Sequence, residues 1–153
     1  AALYLKDGDR TNSKIWLDKA NAISSNEKAV LENYGIIASQ EGNIDKAQTL
    51  YNQSNANEIN QGILNIKQGD YKSAVNKLKG NGYNATLAKI MNGNNATTTN
   101  NSAKGHYLNA VSAARDGNKD LAIQNLNKAF ELDNKMKDIA KADIEFNGIY
   151  PTE

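Results

Sequence analysis

One short pattern, present in four copies, constrains the fold of this chain more than any other feature of its sequence. Each copy is a glycine followed by an aspartate or asparagine, with an apolar pattern of helical spacing on either side. Glycine readily takes the left-handed conformation that ends many helices, and an Asp or Asn side chain can cap the helix that follows. The pattern therefore predicts helix–turn–helix units with turns at four places: Gly8-Asp9, Gly42-Asn43, Gly69-Asp70 and Gly117-Asn118.

A second pattern follows each of these glycines. A small residue stands five positions later, a large one nine positions later, and a third, usually small, three positions beyond that. Residues at these spacings share one helix face, where small side chains let a neighbouring helix approach and the large one fills the groove between them. The pattern predicts that three sets face the core: Ser13, Ala47, Ala74 and Ala122; Leu17, Tyr51, Leu78 and Leu126; Ala20, Ser54, Asn81 and Ala129.

The spacing of the glycines indicates a family. Gly8 and Gly42 are 34 residues apart, whereas the next two intervals are 27 and 48 residues, as expected for a shortened unit and an insertion. Over nearly the whole chain this spacing resembles the tetratricopeptide repeat, most closely in residues 34–47 and 116–130, although Pro151 is the only proline. The resemblance implies an all-α fold, a right-handed α-solenoid of antiparallel helix pairs.

The repeat register predicts one domain over residues 1–153. Its units are expected at about 1–25, 26–56, 57–82 and 83–134, with a closing amphipathic helix at 135–146. Ala1 and Tyr4 already hold positions of a first helix, so we expect this chain to be part of a longer one.

A narrower resemblance concerns location. Residues 65–75, 84–93 and 141–146 resemble the tetratricopeptide tails of large cell-envelope proteins of Bacteroidetes. This resemblance implies the bacterial cell envelope or periplasm, with the cytoplasm as the alternative.

Local signals divide the chain further. Ser24, with Glu27 three residues later, predicts a capping box that opens the third helix. Residues 92–102 are rich in Asn and Thr and have no apolar periodicity, which predicts an exposed loop. We expect helices near residues 1–6, 11–22, 26–40, 44–54, 56–67, 71–79, 83–91, 103–115, 119–131 and 135–146.

Composition excludes several classes of function. The net charge is +1, from 18 basic and 17 acidic residues, so no broad positive field for nucleic acid is expected. No apolar run is long enough to span a membrane. The chain has no cysteine, which excludes disulfides and thiolate zinc sites within it.

Three candidate chemical sites are weak on sequence grounds. His106 is the only histidine and has no evident catalytic partner, so we expect a structural or surface role and no enzyme activity. Residues 7–18 imitate a calcium-binding EF-hand loop, but Asn12 replaces the required glycine, so neither a metal nor a cofactor is predicted. Trp16 lies beside the large repeat position, where packing is favoured over ligand stacking.

The expected function is therefore the binding of a protein or peptide partner. In proteins of this family the first helices line an inner groove, and the repeat register places nine residues there: Glu32, Ile36, Gln40, Asn60, Ile63, Lys67, Tyr107, Val111 and Arg115. The alternative is a site for a small molecule or glycan, in which Trp16, Tyr83 and Tyr107 would converge on one pocket.

Overall fold

All regular structure in the described part of the chain is helical. A computed structural model describes residues 8–149, which contain nine α-helices, one 3₁₀ turn at Ile144–Phe146 and no strand. The helices are α1 (Arg10–Ile23), α2 (Lys28–Gln40), α3 (Ile44–Ser54), α4 (Glu58–Gln68), α5 (Tyr71–Lys77), α6 (Tyr83–Met91), α7 (Ala103–Arg115), α8 (Lys119–Leu132) and α9 (Met136–Ala142). The all-helical prediction is confirmed; the helix expected at 1–6 lies outside the described residues.

The four glycine turns have the predicted geometry. Gly8, Gly42, Gly69 and Gly117 have φ angles of 76° to 79°. After α2, α4 and α7, the N–H groups of the glycine and the following residue bind carbonyls of the last helical turn, as in Asn43 N to Ala38 O at 2.8 Å. The Asp or Asn side chain then accepts a hydrogen bond from the first turn of the next helix. The predicted cap is confirmed at all four turns, and the predicted helix end is confirmed at Gly42, Gly69 and Gly117.

The chain divides into two compact units, residues 8–77 and 78–149 of the described part. The first unit contains α1 to α5, and α2 packs against α3 as α4 packs against α5. Its core has two clusters, one of Leu17, Val30 and Ile37 and the other of Ala38, Ala47, Tyr51, Ala56 and Leu64.

The second unit contains α6 to α9 and the 3₁₀ turn. Its most extensive packing is between α7 and α8. One continuous cluster forms its core: Ile90, Leu108, Ala110, Val111, Leu126, Ala129, Phe130, Met136, Ala140 and Phe146. The cluster includes residues from α6 through the 3₁₀ turn, so the C-terminal segment is part of this core.

The repeat positions explain which residues are buried. Ser13, Ala47, Ala74 and Ala122 are each 0% exposed, and the four large residues that follow them are also buried. The third set is buried at Ser54 and Ala129 and half-buried at Ala20. It is wrong at Asn81, which is exposed because α5 ends at Lys77 and Asn81 lies outside any helix.

Two predicted helix boundaries are wrong. Ser24 does not form a capping box: Glu27 precedes α2, and the Ser24 hydroxyl donates to its carboxylate at 2.9 Å. The closing helix does not run to residue 146. It ends at Ala142 because Asp143 has an extended backbone (φ −86°, ψ 120°), and its side chain caps the 3₁₀ turn by accepting from Glu145 N.

The segment after α6 is irregular, as predicted, but it is not a free loop. Gly93 and Asn94 end α6, and residues 94–100, the strap, then lie along α7. Thr98 is buried. Its N–H donates to Asn109 Oδ1 at 2.8 Å, and Asn109 Nδ2 donates to its carbonyl at 3.1 Å. The prediction of an exposed loop is therefore wrong at Thr98.

Within residues 8–149, no helix combines the length and the apolar character that crossing a membrane requires.

Candidate functional site

Two of the predicted groove residues in the first unit are bonded to each other. One carboxylate oxygen of Glu32 in α2 accepts from Asn57 N at 3.1 Å, Asn57 Nδ2 at 2.7 Å and Asn60 Nδ2 at 2.8 Å. These bonds join α2 to the first turn of α4. The polar groups of Glu32 and Asn60 are thus engaged within the unit.

The other four groove residues of this unit do not form one site. Lys67 Nζ donates to the Ser39 carbonyl at 2.7 Å, which again links α4 to α2. Ile36 packs against the second core cluster, and Ile63 is half-buried. Gln40 instead lines a broad cleft of about 640 Å³ with residues of α1.

The second unit brings its three predicted residues together. Tyr107, Val111 and Arg115 are four residues apart along α7, so they lie on one helix face. They line one cavity of about 270 Å³, which we call the α7 cavity. The remaining residues that line it are Tyr83, Leu87, Ile90, Met91, Leu108, Asp143 and Glu145.

The C-terminal segment fixes Tyr107 at this cavity. The Tyr107 hydroxyl donates to Asp143 Oδ2 at 2.6 Å. Its ring meets Phe146 edge to face, with centroids 5.3 Å apart and planes at 86°, and Phe146 is 2% exposed. Burial and the hydrogen bond to Asp143 raise the pKa of Tyr107, so the hydroxyl stays protonated and donates.

Arg115 is held by two groups, the Glu145 carboxylate and the Ile90 carbonyl. Its Nε lies 3.0 Å from each carboxylate oxygen of Glu145, and its Nη2 forms an ion pair with the same carboxylate. Its Nη1 donates to the Ile90 carbonyl at 2.8 Å. The hydrogen bonds with Glu145 raise the pKa of Arg115 further. The guanidinium therefore holds the cavity wall together by its hydrogen bonds to Glu145 and Ile90.

Negative groups outnumber positive groups at the α7 cavity. Glu145 neutralises Arg115, and theirs is the ion pair that the structure shows within residues 8–149. Asp143 accepts from the Tyr107 hydroxyl and from Glu145 N at 3.0 Å, but no cation of the described chain lies within 4.0 Å of it. Two carboxylates and one guanidinium thus give a net charge of −1 at a cavity whose other walls are mainly apolar, and Arg115 also feels the charge of Asp143.

Sequence reasoning missed the acidic wall of the cavity. The sequence predicts one continuous helix over residues 135–146, whereas the end of α9 at Ala142 turns Asp143 and Glu145 toward α7. An aspartate followed by Ile-Glu-Phe is typical of a capped turn, and that signal was available in the sequence.

The other candidate residues are Trp16, in the first unit, and His106, in the second. Trp16 in α1 is 49% exposed, and Lys19 Nζ lies 4.4 Å from its ring centroid, so the expected packing role is wrong for the part of the chain that is described. His106 is half-buried, and its Nδ1 has no hydrogen-bond partner within residues 8–149. It does not line the cavity.

The residues that imitate a calcium loop have other partners. Asp9 caps α1 by accepting from Asn12 N at 3.0 Å, and Asp18 accepts from the Tyr34 hydroxyl. Asp7 lies outside the described residues. Between residues 8 and 149, no three acidic or histidine side chains are grouped closely enough to hold a metal ion.

No protein-family model matches this chain, and no curated protein matches it.

Proposed function

We propose that this chain is a non-catalytic binding module that holds a segment of a partner protein at the α7 cavity. In this proposal the helix pairs are tetratricopeptide-type repeats, stacked antiparallel in a right-handed α-solenoid. The repeated glycine turns and the buried small residues of α1, α3, α5 and α8 support that architecture.

The α7 cavity is the observation that carries the proposal. Tyr107, Val111 and Arg115, selected from the repeat register, line one recess together. Its walls are held by hydrogen bonds and by the packing of Phe146, so little ordering is needed when a ligand enters. A preformed recess with apolar walls and a few polar groups suits the anchor side chain of a protein ligand.

A glycan or small molecule is the second candidate. Tyr83 and Tyr107 both line the α7 cavity, as that alternative requires. Trp16, however, does not line it, and Tyr107 already places its ring against Phe146 and its hydroxyl on Asp143. A protein segment is therefore the better supported ligand.

The resemblance to envelope proteins leads us to propose a bacterial envelope or periplasmic location. This location is tested by fractionating the native cells and detecting the chain in each fraction with an antibody. Recovery in the cytoplasm would support the alternative.

Peptide selection tests the proposed binding without knowledge of the partner. Random peptides displayed on phage are selected on the wild-type chain, and their affinities are then measured for two variants. Met91→Trp replaces a flexible side chain at the cavity with a bulky indole ring. Met91 is 41% exposed, so the protein should tolerate the change. Leu132→Trp is the matched control, because Leu132 is exposed on α8 and does not line the cavity.

We expect the selected peptides to bind Met91→Trp about tenfold or more weakly, as when an anchor loses its pocket. Leu132→Trp should bind them as the wild type does. If no peptide is selected, or if the selected peptides bind Met91→Trp as tightly as the wild type, the proposed function is wrong.

A further inference from the structure

We infer that the α7 cavity accepts a long cationic side chain, lysine or arginine, of the partner protein. This inference rests on the proposed function and names the chemistry of its ligand. Charge, wall composition and the engagement of Arg115 each support it.

The charge balance of the cavity favours a cation. Three ionised groups line it, the carboxylates of Asp143 and Glu145 and the guanidinium of Arg115. Glu145 forms an ion pair with Arg115, and Asp143 adds a second carboxylate, so the net charge of the three groups is −1. A charge beside apolar walls is screened less than one in open water, so its attraction for a cation is stronger there.

The walls fit the stem of such a side chain as well as its head. Leu87, Val111 and Met91 offer apolar surface along which the methylene groups of lysine or arginine can lie. Tyr83 adds an aromatic ring, whose face attracts cations. The cavity therefore combines an apolar path with a negatively charged border.

An acidic side chain does not suit this site. The cation that would have to receive it is Arg115, whose guanidinium already binds both oxygens of Glu145 and the Ile90 carbonyl. An incoming carboxylate would also meet the charge of Asp143 at the same cavity. A neutral apolar side chain would fill the space but leave the net negative charge of the cavity unbalanced.

Short peptides test the inference directly. Capped alanine pentapeptides with lysine, arginine, norleucine or glutamate at the centre are titrated to millimolar concentration into the whole chain, followed by two-dimensional amide NMR spectra. We expect the lysine and arginine peptides to shift the amide signals of Leu87, Met91 and Val111. We expect them to bind about fivefold more tightly than norleucine, the effect of one partly exposed ion pair.

Two variants should change this preference in opposite directions. Asp143→Asn removes the charge while its Oδ1 can still accept from Glu145 N and its Nδ2 can donate to the Tyr107 hydroxyl oxygen, so the affinity for lysine should fall to that for norleucine. Arg115→Gln removes the positive charge, so the affinity for lysine should rise. Asp138→Asn, which changes an exposed acid on α9 that does not line the cavity, is the matched control. The affinity for norleucine reports in each variant whether the cavity is intact.

Each other outcome overturns the inference in a recognisable way. If norleucine binds as tightly as lysine, or if glutamate binds best, the cationic preference is wrong while the cavity remains a binding site. If no peptide shifts the cavity signals, the inference is also wrong, and the phage selection decides separately whether the proposed function stands. An unchanged preference in both Asp143→Asn and Arg115→Gln would contradict the charge argument.

Discussion

Asn109 fixes the strap to α7 through two hydrogen bonds with the main chain of Thr98. Its side-chain amide matches both the N–H and the carbonyl of Thr98. The Thr98 hydroxyl donates in turn to the Asn81 carbonyl at 2.8 Å, so the strap is bonded on both sides. Because Thr98 is buried, water cannot readily replace these bonds if one is lost.

Asn109→Ala should therefore lower the free energy of unfolding by about 1–3 kcal/mol, the range for leaving buried polar groups without partners. The control is Asn125→Ala, since Asn125 Nδ2 bonds only to the Leu121 carbonyl of its own helix. Urea unfolding measures both variants, and hydrogen exchange of the Thr98 amide should accelerate in the first alone. Equal losses in the two variants would contradict the role of Asn109.

Gly105 allows the strap to approach α7 closely. A Cβ atom at this position would lie 1.9 Å from the Asn100 carbonyl oxygen, a backbone atom that cannot turn aside. We expect Gly105→Ala to displace the strap and to destabilise the protein, although alanine favours helices more than glycine does. Gly82→Ala is the control, because a Cβ there meets nothing within 4 Å. A Gly105→Ala protein as stable as the Gly82→Ala protein, by thermal unfolding, would refute this.

At the scale of helices, the caps differ in charge although they share one geometry. Asp9 and Asp70 precede α1 and α5, whereas Asn43 and Asn118 precede α3 and α8. The hydrogen bonds from Ser73 lower the pKa of Asp70 below its ordinary value of 3.8. A lowered pKa in the folded state means that the folded chain binds fewer protons, so this contribution is present above that value and is lost as the pH falls through the lowered pKa.

Asp70→Asn should keep the cap but remove its acid sensitivity. Asparagine caps helices about as well as aspartate, so we expect little change in stability at neutral pH and a smaller loss below about pH 4. The reciprocal variant Asn43→Asp should lose more stability in acid than the wild type does. Urea unfolding across this pH range measures both. Identical acid dependence in the wild type and in Asp70→Asn would show that this cap does not contribute.

Helices were predictable from sequence because their signals are local. The predicted ranges 44–54, 83–91 and 103–115 coincide with α3, α6 and α7. The strap was not predictable, since an Asn- and Thr-rich segment has no periodicity and its conformation depends on contacts of Thr98 with Asn109 and Asn81.

The candidate site was predictable to the same extent. Tyr107, Val111 and Arg115 share a helix, so their spacing alone places them on one face. The acidic residues of the cavity, Asp143 and Glu145, lie at least 28 residues after Arg115 in the sequence. Only the fold brings them to Arg115 and Tyr107.

At the scale of the whole molecule, burial of apolar surface rather than charge accounts for stability. The net charge is +1, and the ion pair seen among residues 8–149 is partly exposed, with side-chain exposures of 37% and 25%. Partly exposed pairs contribute about 1 kcal/mol or less. The core clusters of both units, in contrast, are built from fully buried Leu, Ile, Phe and Ala side chains.

Folding and ligand binding should therefore respond differently to salt. Raising sodium chloride from about 0.05 M to about 1 M should change the free energy of unfolding by about 1 kcal/mol or less, because it screens few interactions that matter for folding. Sodium sulfate should stabilise the chain, since it strengthens apolar burial. Binding of the lysine peptide should weaken over the same range of sodium chloride, while binding of the norleucine peptide should not. Urea unfolding and NMR titration, at matched salt, separate the two effects. A large loss of stability in sodium chloride would show that charge, not apolar burial, dominates the free energy of unfolding.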